Sequence, residues 1–219
     1  MNKTFVISDL HFGHLNIIEF ERTEFKSINE HDEFIIKKWN SVVKPTDTVY
    51  CLGDISFGLP QADVKRKVSR LLGHKILVKG NHDKNTNSYY KDIGFDEVYK
   101  GPIYVCDGKV ILSHEPAQEA FNNPYVINIY GHTHNSIVDL PNYHCVSAKI
   151  VKYIPQNIDH YIGISTFKDR DEAFTKEWYF KNIKFISGKY KGMTPEEIRK
   201  ENRHEKFLAK TKYKNKEDD

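Results

Sequence analysis

Thr4-Phe5-Val6-Ile7-Ser8 runs straight into Asp9-Leu10-His11, and this stretch decides the fold. A short apolar, β-branched run without helical period reads as a buried strand, and here the polar groups begin where it ends. The same grammar recurs down the chain. Thr48-Val49-Tyr50-Cys51-Leu52 leads into Gly53-Asp54, and Lys75-Ile76-Leu77-Val78-Lys79 into Gly80-Asn81-His82-Asp83. Lys109-Val110-Ile111-Leu112-Ser113 leads into His114, and Tyr125-Val126-Ile127-Asn128-Ile129-Tyr130 into Gly131-His132-Thr133-His134. Open α/β sheets build their sites at the carboxyl ends of strands. Carboxylate, carboxamide and imidazole groups delivered there together read as a metal centre.

Working outward, helices fill the gaps. Ser27-x-x-Glu30 is a capping box opening a helix through Val43, with Phe34, Ile35, Trp39, Val42 and Val43 as its apolar face. Pro60 and Gly73 bracket a second helix that turns Val64, Val68, Leu71 and Leu72 inward. Asn87 to Ile93, closed by Gly94, is a third. Asp107-Gly108 between two apolar runs predicts a two-residue hairpin, and further strands follow around 125–130 and 144–151. Alternating β and α first, with antiparallel strands later, predicts a mixed α/β (α+β) sheet covered by helices, or two stacked sheets. Beyond Asp159 the pattern thins: residues 176–185 predict a late strand, and Thr194-Pro195-Glu196-Glu197 a helix start.

At 219 residues the chain suits one domain, taken as 1–180, with a basic C-terminal extension over 181–219. Cys51, Cys106 and Cys145 form no CxxC pair. Cys51 and Cys106 fall in or at the ends of apolar strands, where a thiol packs as a small hydrophobe. No signal peptide or membrane span is read from the sequence, so a cytoplasmic setting without a membrane partner is expected. The net charge of +3 is uneven: residues 181–219 carry twelve Lys or Arg against seven Asp or Glu. A tail of that kind favours a polyanion or is simply a solvated end.

Alternate residues of an extended segment point the same way, about 6.6 Å apart, so Asp9 and His11 can reach one ion. His132 and His134 share that spacing and can flank two ions roughly 3.5–4 Å apart, one imidazole on each. Asp54 offers two oxygens suited to bridging, and Asn81 and His114 add further donors. His14, Asn16 and Arg22 follow on a loop loosened by Gly13 and are candidate substrate contacts. The competing reading of Arg22 is a surface cation paired with Glu19, Glu21 or Glu24. His31, His74, His144, His160 and His204 show no partner pattern and are assigned to packing or surface, and Asp47 to a turn.

In this order the residues resemble the calcineurin-like metallophosphoesterases, whose motif runs DxH, GD, GNH followed by Asp or Glu, a lone His, and GHxH. The match covers roughly residues 1–150. The resemblance implies a four-layer α-β-β-α sandwich of two mixed sheets carrying two divalent metal ions. By the same resemblance Asp9, His11, Asp54 and His134 would hold the first ion. Asp54, Asn81, His114 and His132 would hold the second, while His82 stands near substrate without touching metal. Oxygen and nitrogen donors without thiolate suit Mn²⁺, Fe, Zn²⁺ or Co²⁺, with Mn²⁺ the first choice on cytosolic availability.

Two divalent ions, the Asp9 and Asp54 carboxylates and a bridging hydroxide leave a charge of about +1, which attracts phosphate. The expected chemistry is in-line attack by that hydroxide, with His82 as general acid or electrostatic stabiliser of the departing oxygen. One departure stands out. Many relatives carry an Asp three residues after the GD aspartate that orients the catalytic His. Here that residue is Phe57, leaving Asp83 as the substitute.

The expected substrates are phosphodiesters, whether nucleotide, cyclic nucleotide or nucleic-acid end, because no long cap insertion separates the motifs and the tail is basic. The alternative is a phosphomonoesterase on a small phosphorylated substrate. A non-catalytic scaffold is disfavoured because all seven donors and His82 are present. The sequence leaves the oligomeric state open.

Overall fold

The computed structural model describes residues 2–123 and 125–162, together with Lys184–Phe185 and Glu197. In chain order the elements are β1 (Thr4–Ile7), α1 (Ile17–Phe20), α2 (Ile28–Asn40), β2 (Thr48–Cys51), α3 (Gln61–Val68) and β3 (His74–Val78). Then come α4 (Asn87–Asp92), β4 (Glu97–Tyr99), β5 (Ile103–Val105), β6 (Val110–Ser113), α5 (Glu119–Asn122) and β7 (Ile127–Tyr130). The remainder are β8 (Ser136–Ile137), β9 (Tyr143–Cys145), β10 (Gln156–Asn157), α6 (Asp159–Ile162) and β11 (Lys184–Phe185).

Two mixed sheets form. One has the order β10-β1-β2-β3-β4, parallel except for β10, and the other β5-β6-β7-β9, parallel except for β5. The period of two along each strand separates the layers. Phe5, Ile7, Val49, Cys51 and Leu77 face a core shared with Ile35, Trp39, Val64 and Val68 of α2 and α3. Val6, Leu52 and Val78 point the other way, onto Val110, Leu112, Ile127 and Ile129 of the second sheet. Ile111, Tyr130, Tyr143 and Cys145 line the outer face of that sheet under Ala120 and Phe121 of α5. Helix, sheet, sheet, helix is therefore the order of layers, as the α/β sandwich reading requires.

The caps and turns follow local chemistry. Ser27 Oγ accepts the Glu30 N–H at 3.2 Å, while Glu30 Oε2 reaches back to the Lys26 N–H at 2.8 Å. Asp107 (φ 55°) and Gly108 (φ 79°) take the positive angles a type I′ turn demands, closed by Lys109 N–H to Cys106 O at 3.1 Å.

Several expectations are corrected. The strand predicted to Val151 stops at Cys145, and residues 148–153 turn so that β10 can return beside β1. α2 ends at Asn40 rather than Val43, Leu72 is half-exposed, and Cys106 lies exposed at the hairpin instead of packing inside. β4, three residues on the sheet edge, carries too little pattern to be read in advance. Of residues 176–185 only β11 is described, pairing with β8; the helix start at Thr194, His204 and the domain boundary at 180 lie outside the described residues. Among the described residues no helix is long and apolar enough to cross a membrane.

Candidate metal centre

The ends of β1, β2, β3, β6 and β7 converge on one rim. Main-chain bonds carry the β1–β2 pairing past the strands, from Asp9 N–H to Gly53 O and from His11 N–H to Asp54 O, both 3.0 Å. Asp9 (φ 58°), His11 (51°), Asp54 (55°) and His132 (65°) all sit in the left-handed region. For non-glycine residues that costs on the order of 1 kcal/mol or more each, and such strain gathers at functional sites. The extended-segment reading of Asp9–His11 and His132–His134 is thus corrected: tight turns, not strand alternation, aim these side chains. Glycine makes room for them. A Cβ at Gly131 would collide with Ser8 Oγ and stand 2.6 Å from Asp9 Oδ2, and one at Gly80 would collide with Asp54 Oδ1.

Two groups of donors result. Asp9, His11, Asp54 and His134 bring ligand-capable atoms within 4.8 Å of one another, and Asp54, His114 and His132 do likewise. Asn81 Oδ1 joins the second group, 2.9 Å from His114 Nε2 and 3.1 Å from His132 Nδ1. Asp54 is common to both: its Oδ2 lies 3.9 Å from His11 Nε2 and 3.4 Å from His114 Nε2, while Oδ1 accepts the His82 N–H at 2.9 Å.

Bonds behind the rings fix which nitrogen faces inward. Leu52 O can only accept, so His114 Nδ1 donates to it at 2.7 Å and Nε2 turns to the cluster. Glu21 Oε2 holds His134 the same way through Nδ1 at 2.7 Å. His134 Nε2 then lies 3.1 Å from Asp9 Oδ1 and 3.0 Å from His11 Nε2. Asp9 Oδ2 is already engaged, accepting Ser147 Oγ–H at 2.6 Å and His132 N–H at 2.9 Å. What is left facing inward is lone pair against lone pair, which repel unless a cation or proton lies between them. Separations near 3.0–3.4 Å are those of ligands held about 2.0–2.2 Å from one divalent ion. The donor set therefore fits a divalent metal of the Mn, Fe, Co or Zn kind.

The electrostatics agree. Burial would lower the His134 imidazole, but Asp9 and Glu21 overcome it and lift it to about 10. Burial likewise opposes His114, which Asp54 and Asp9 raise to about 9. Burial holds His11 well below its usual value, and burial plus His114 lowers His132. Burial would raise Asp9 and Asp54, yet His134 and His114 respectively pull them below the ordinary carboxylate range. Protons sit where cations would compete for the same lone pairs.

The other candidates separate. His82 is 41% exposed, its Nε2 4.0 Å from Asp54 Oδ2 and its ring edge-on to Phe57 at 5.4 Å. Asp83 does not orient it: that carboxylate is buried and accepts the Asp54 N–H (2.7 Å), Gly80 N–H (2.9 Å) and Ile55 N–H (3.3 Å), tying two ligand loops together. His14 lies beside the cluster, its ring 5.4 Å from His11 and 4.6 Å from Phe57, and burial lowers its pKa. Asn16 is exposed at the start of α1.

Arg22 is neither a surface cation nor turned to the opening. It is fully buried, donating to Asp9 O at 2.5 Å and Leu10 O at 3.0 Å. His31, assigned to packing or surface, is buried beneath it, and Asp47 caps the turn before β2 through the Lys3 and Lys44 N–H groups. Glu21 escaped sequence reasoning because Glu19, Glu21 and Glu24 are equivalent carboxylates in the chain; only the fold selects one.

A calcineurin-like phosphoesterase superfamily domain matches residues 3–145. The chain is 32% identical over 173 residues to an uncharacterized protein of Methanocaldococcus jannaschii, MJ1445, covering 73% of this chain and 89% of that one. It is also 32% identical over 167 residues to the gene 66 protein of Mycobacterium phage L5, covering 63% of this chain and 80% of the phage protein. Among solved structures it is similar to AQ665, a protein of unknown function from Aquifex aeolicus. The TM-score is 0.57 at 26% identity, over 73% of this chain and 97% of that one. Two stacked mixed sheets, the ordered donors on their shared rim and the matched domain agree that the chain belongs to the calcineurin-like phosphoesterase superfamily.

Proposed function

We propose that this chain is a dinuclear phosphoesterase acting on phosphodiesters of the nucleotide or nucleic-acid class. The observation that carries the reading is the pair of donor groups joined through Asp54, with a ring nitrogen of each group, on His11 and on His114, approaching its Oδ2. Asp9, His11, Asp54 and His134 would hold one ion, and Asp54, Asn81, His114 and His132 the other, with Mn²⁺ first. Bound divalent ions supply Lewis acidity and bring the pKa of water toward neutrality.

The chain supplies the rest. The neutral His and Asn ligands preserve a positive surplus that binds phosphate. His82 stands on the open side, where it can hand a proton to a departing oxygen. His14, beside His11 and sharing Phe57 with His82, would make a phosphate or leaving-group contact, with the exposed Asn16 as a further candidate contact. Phe57 packs edge-on against both imidazoles, holding their rings without the carboxylate partner of many relatives.

Diesters are favoured by an open entrance, at which Phe57 is 46% exposed. A cavity of about 350 Å³ beside Asn81 and His114, bordered by Lys79 and Lys100, leaves room for the second ester group. The basic tail adds attraction for a polyanion, and β11 joins it to β8 just past His134. The test compares a bis-nitrophenyl diester with a nitrophenyl monoester on chelator-stripped protein reloaded with Mn²⁺. Faster diester turnover is expected, and a strong monoester preference would move the substrate class to small phosphomonoesters. His82→Ala should keep both ions yet lose roughly 10²–10⁴-fold in kcat; unchanged turnover would remove His82 from the chemistry.

A further inference from the structure

We infer that Glu21 and Arg22 act as a brace that presets the Asp9–His11–Asp54–His134 position, Glu21 through the His134 ring and Arg22 through the Asp9–Leu10 main chain. The inference rests on the metal reading above. The two residues are consecutive, just past α1, and they hold different members of that donor group, His134 and the Asp9 main chain. A carboxylate on the outer nitrogen of a ligand imidazole fixes its tautomer and makes the inner nitrogen a better donor. Glu21 Oε2, 2.7 Å from His134 Nδ1, occupies that place.

Arg22 acts from below. Its Nη2 donates to Asp9 O at 2.5 Å and its Nη1 to Leu10 O at 3.0 Å, so the guanidinium fork grips the carbonyls of the left-handed Asp9 turn. The fork itself is anchored. Nη1 also donates to His31 Nε2 at 2.6 Å, and His31 Nδ1 faces Asp32 Oδ1 at 2.8 Å. Asp32 in turn accepts the Gly13 N–H at 3.1 Å and meets Lys67 Nζ at 3.1 Å. The Tyr153 ring underlies the guanidinium at 5.5 Å.

The pairing of the two also solves a charge problem. Glu21 alone would cancel the small positive surplus that two ions leave for phosphate. Arg22 Nε faces Glu21 Oε1 at 3.7 Å and returns that charge. His114 in the other donor group leans on a main-chain carbonyl instead, so the brace serves one position only.

The test is calorimetric titration of metal-free protein with Mn²⁺, with the melting temperature of each metal-free variant as the folding control. Wild type should bind two equivalents. Glu21→Ala should weaken one of them by about 10- to 100-fold, and Glu21→Gln, which keeps an acceptor for His134, should recover part of that loss. Arg22→Lys keeps the charge without the fork and should weaken the same equivalent. In a His114→Ala background, where the braced position is the intact one, Glu21→Ala should still lower the remaining affinity. Variants that bind both equivalents as wild type does, or that lose both equally, overturn the brace. Wild type that takes up no Mn²⁺ would sink the metal reading and the brace together.

Discussion

In the donor group of Asp9, His11, Asp54 and His134 the outer imidazole nitrogen of His134 rests on a side chain, whereas in the group of Asp54, Asn81, His114 and His132 that of His114 rests on the main chain. Behind the first stand Glu21, Arg22 and Ser147; behind the second, the Leu52 carbonyl holds His114. Their exposure differs in step, since His11 is buried while His132 is exposed. A main-chain support comes free with the fold and cannot be altered by substitution. A side-chain support can be tuned by one residue, so on the proposed metal reading the first position would be the one whose strength this chain can adjust.

The severest way to break the comparison is to remove what the two share. Asp54→Ala should abolish paired binding and cost at least about a thousandfold in diester kcat/KM, because the water-activating centre is lost; retention of two equivalents in titration would deny the sharing. Next come His134→Ala and His114→Ala, each expected to leave one equivalent bound. Mn²⁺ electron paramagnetic resonance should change from a coupled pair to an isolated ion in both.

The acidity of the medium should sharpen the contrast. His134 at about 10 and His114 at about 9 are protonated at neutral pH, so an ion at either position must displace a proton. Each position should then lose about tenfold in affinity per pH unit as pH falls below its imidazole's pKa. Affinity at the second position should level off above about 9 and at the first above about 10, read by titration at several pH values. Without metal the sign for stability is the reverse of the binding trend. Both imidazoles lie above their usual value, so their contribution is complete below about 6.5 and fades as pH climbs through 9 to 10.

The gentlest test replaces Phe57 with the acid common in relatives. Phe57→Asp should move the acid–base profile of kcat by giving His82 a charged neighbour, with a change of a few-fold in rate and none in metal stoichiometry.

Much of this was legible in the chain because strands and donors are local signals. Each of β1, β2, β3, β6 and β7 is an apolar run followed at once by its polar residues, and the period of two assigns faces without knowledge of partners. What could not be read was set by long-range contact. Glu21 meets His134 and Arg22 meets the Asp9 carbonyl across folds of the chain, and nothing near Glu21 distinguishes it from Glu19 or Glu24. Asp83 departs from its sequence expectation for the same reason: its neighbour in sequence is His82, but its hydrogen bonds run to the Asp54 loop. The left-handed angles at the donors are also hard to read, since Asp and His, though enriched in such turns, mark them far more weakly than Gly does.

The pairing of Lys184–Phe185 with Ser136–Ile137 has a mechanical side. It ties Lys184–Phe185, some fifty residues on in the chain, to the segment that directly follows His134. Ser136 lies two residues after His134, so a substitution that loosens this short antiparallel pairing would be felt first in the turn that aims that imidazole.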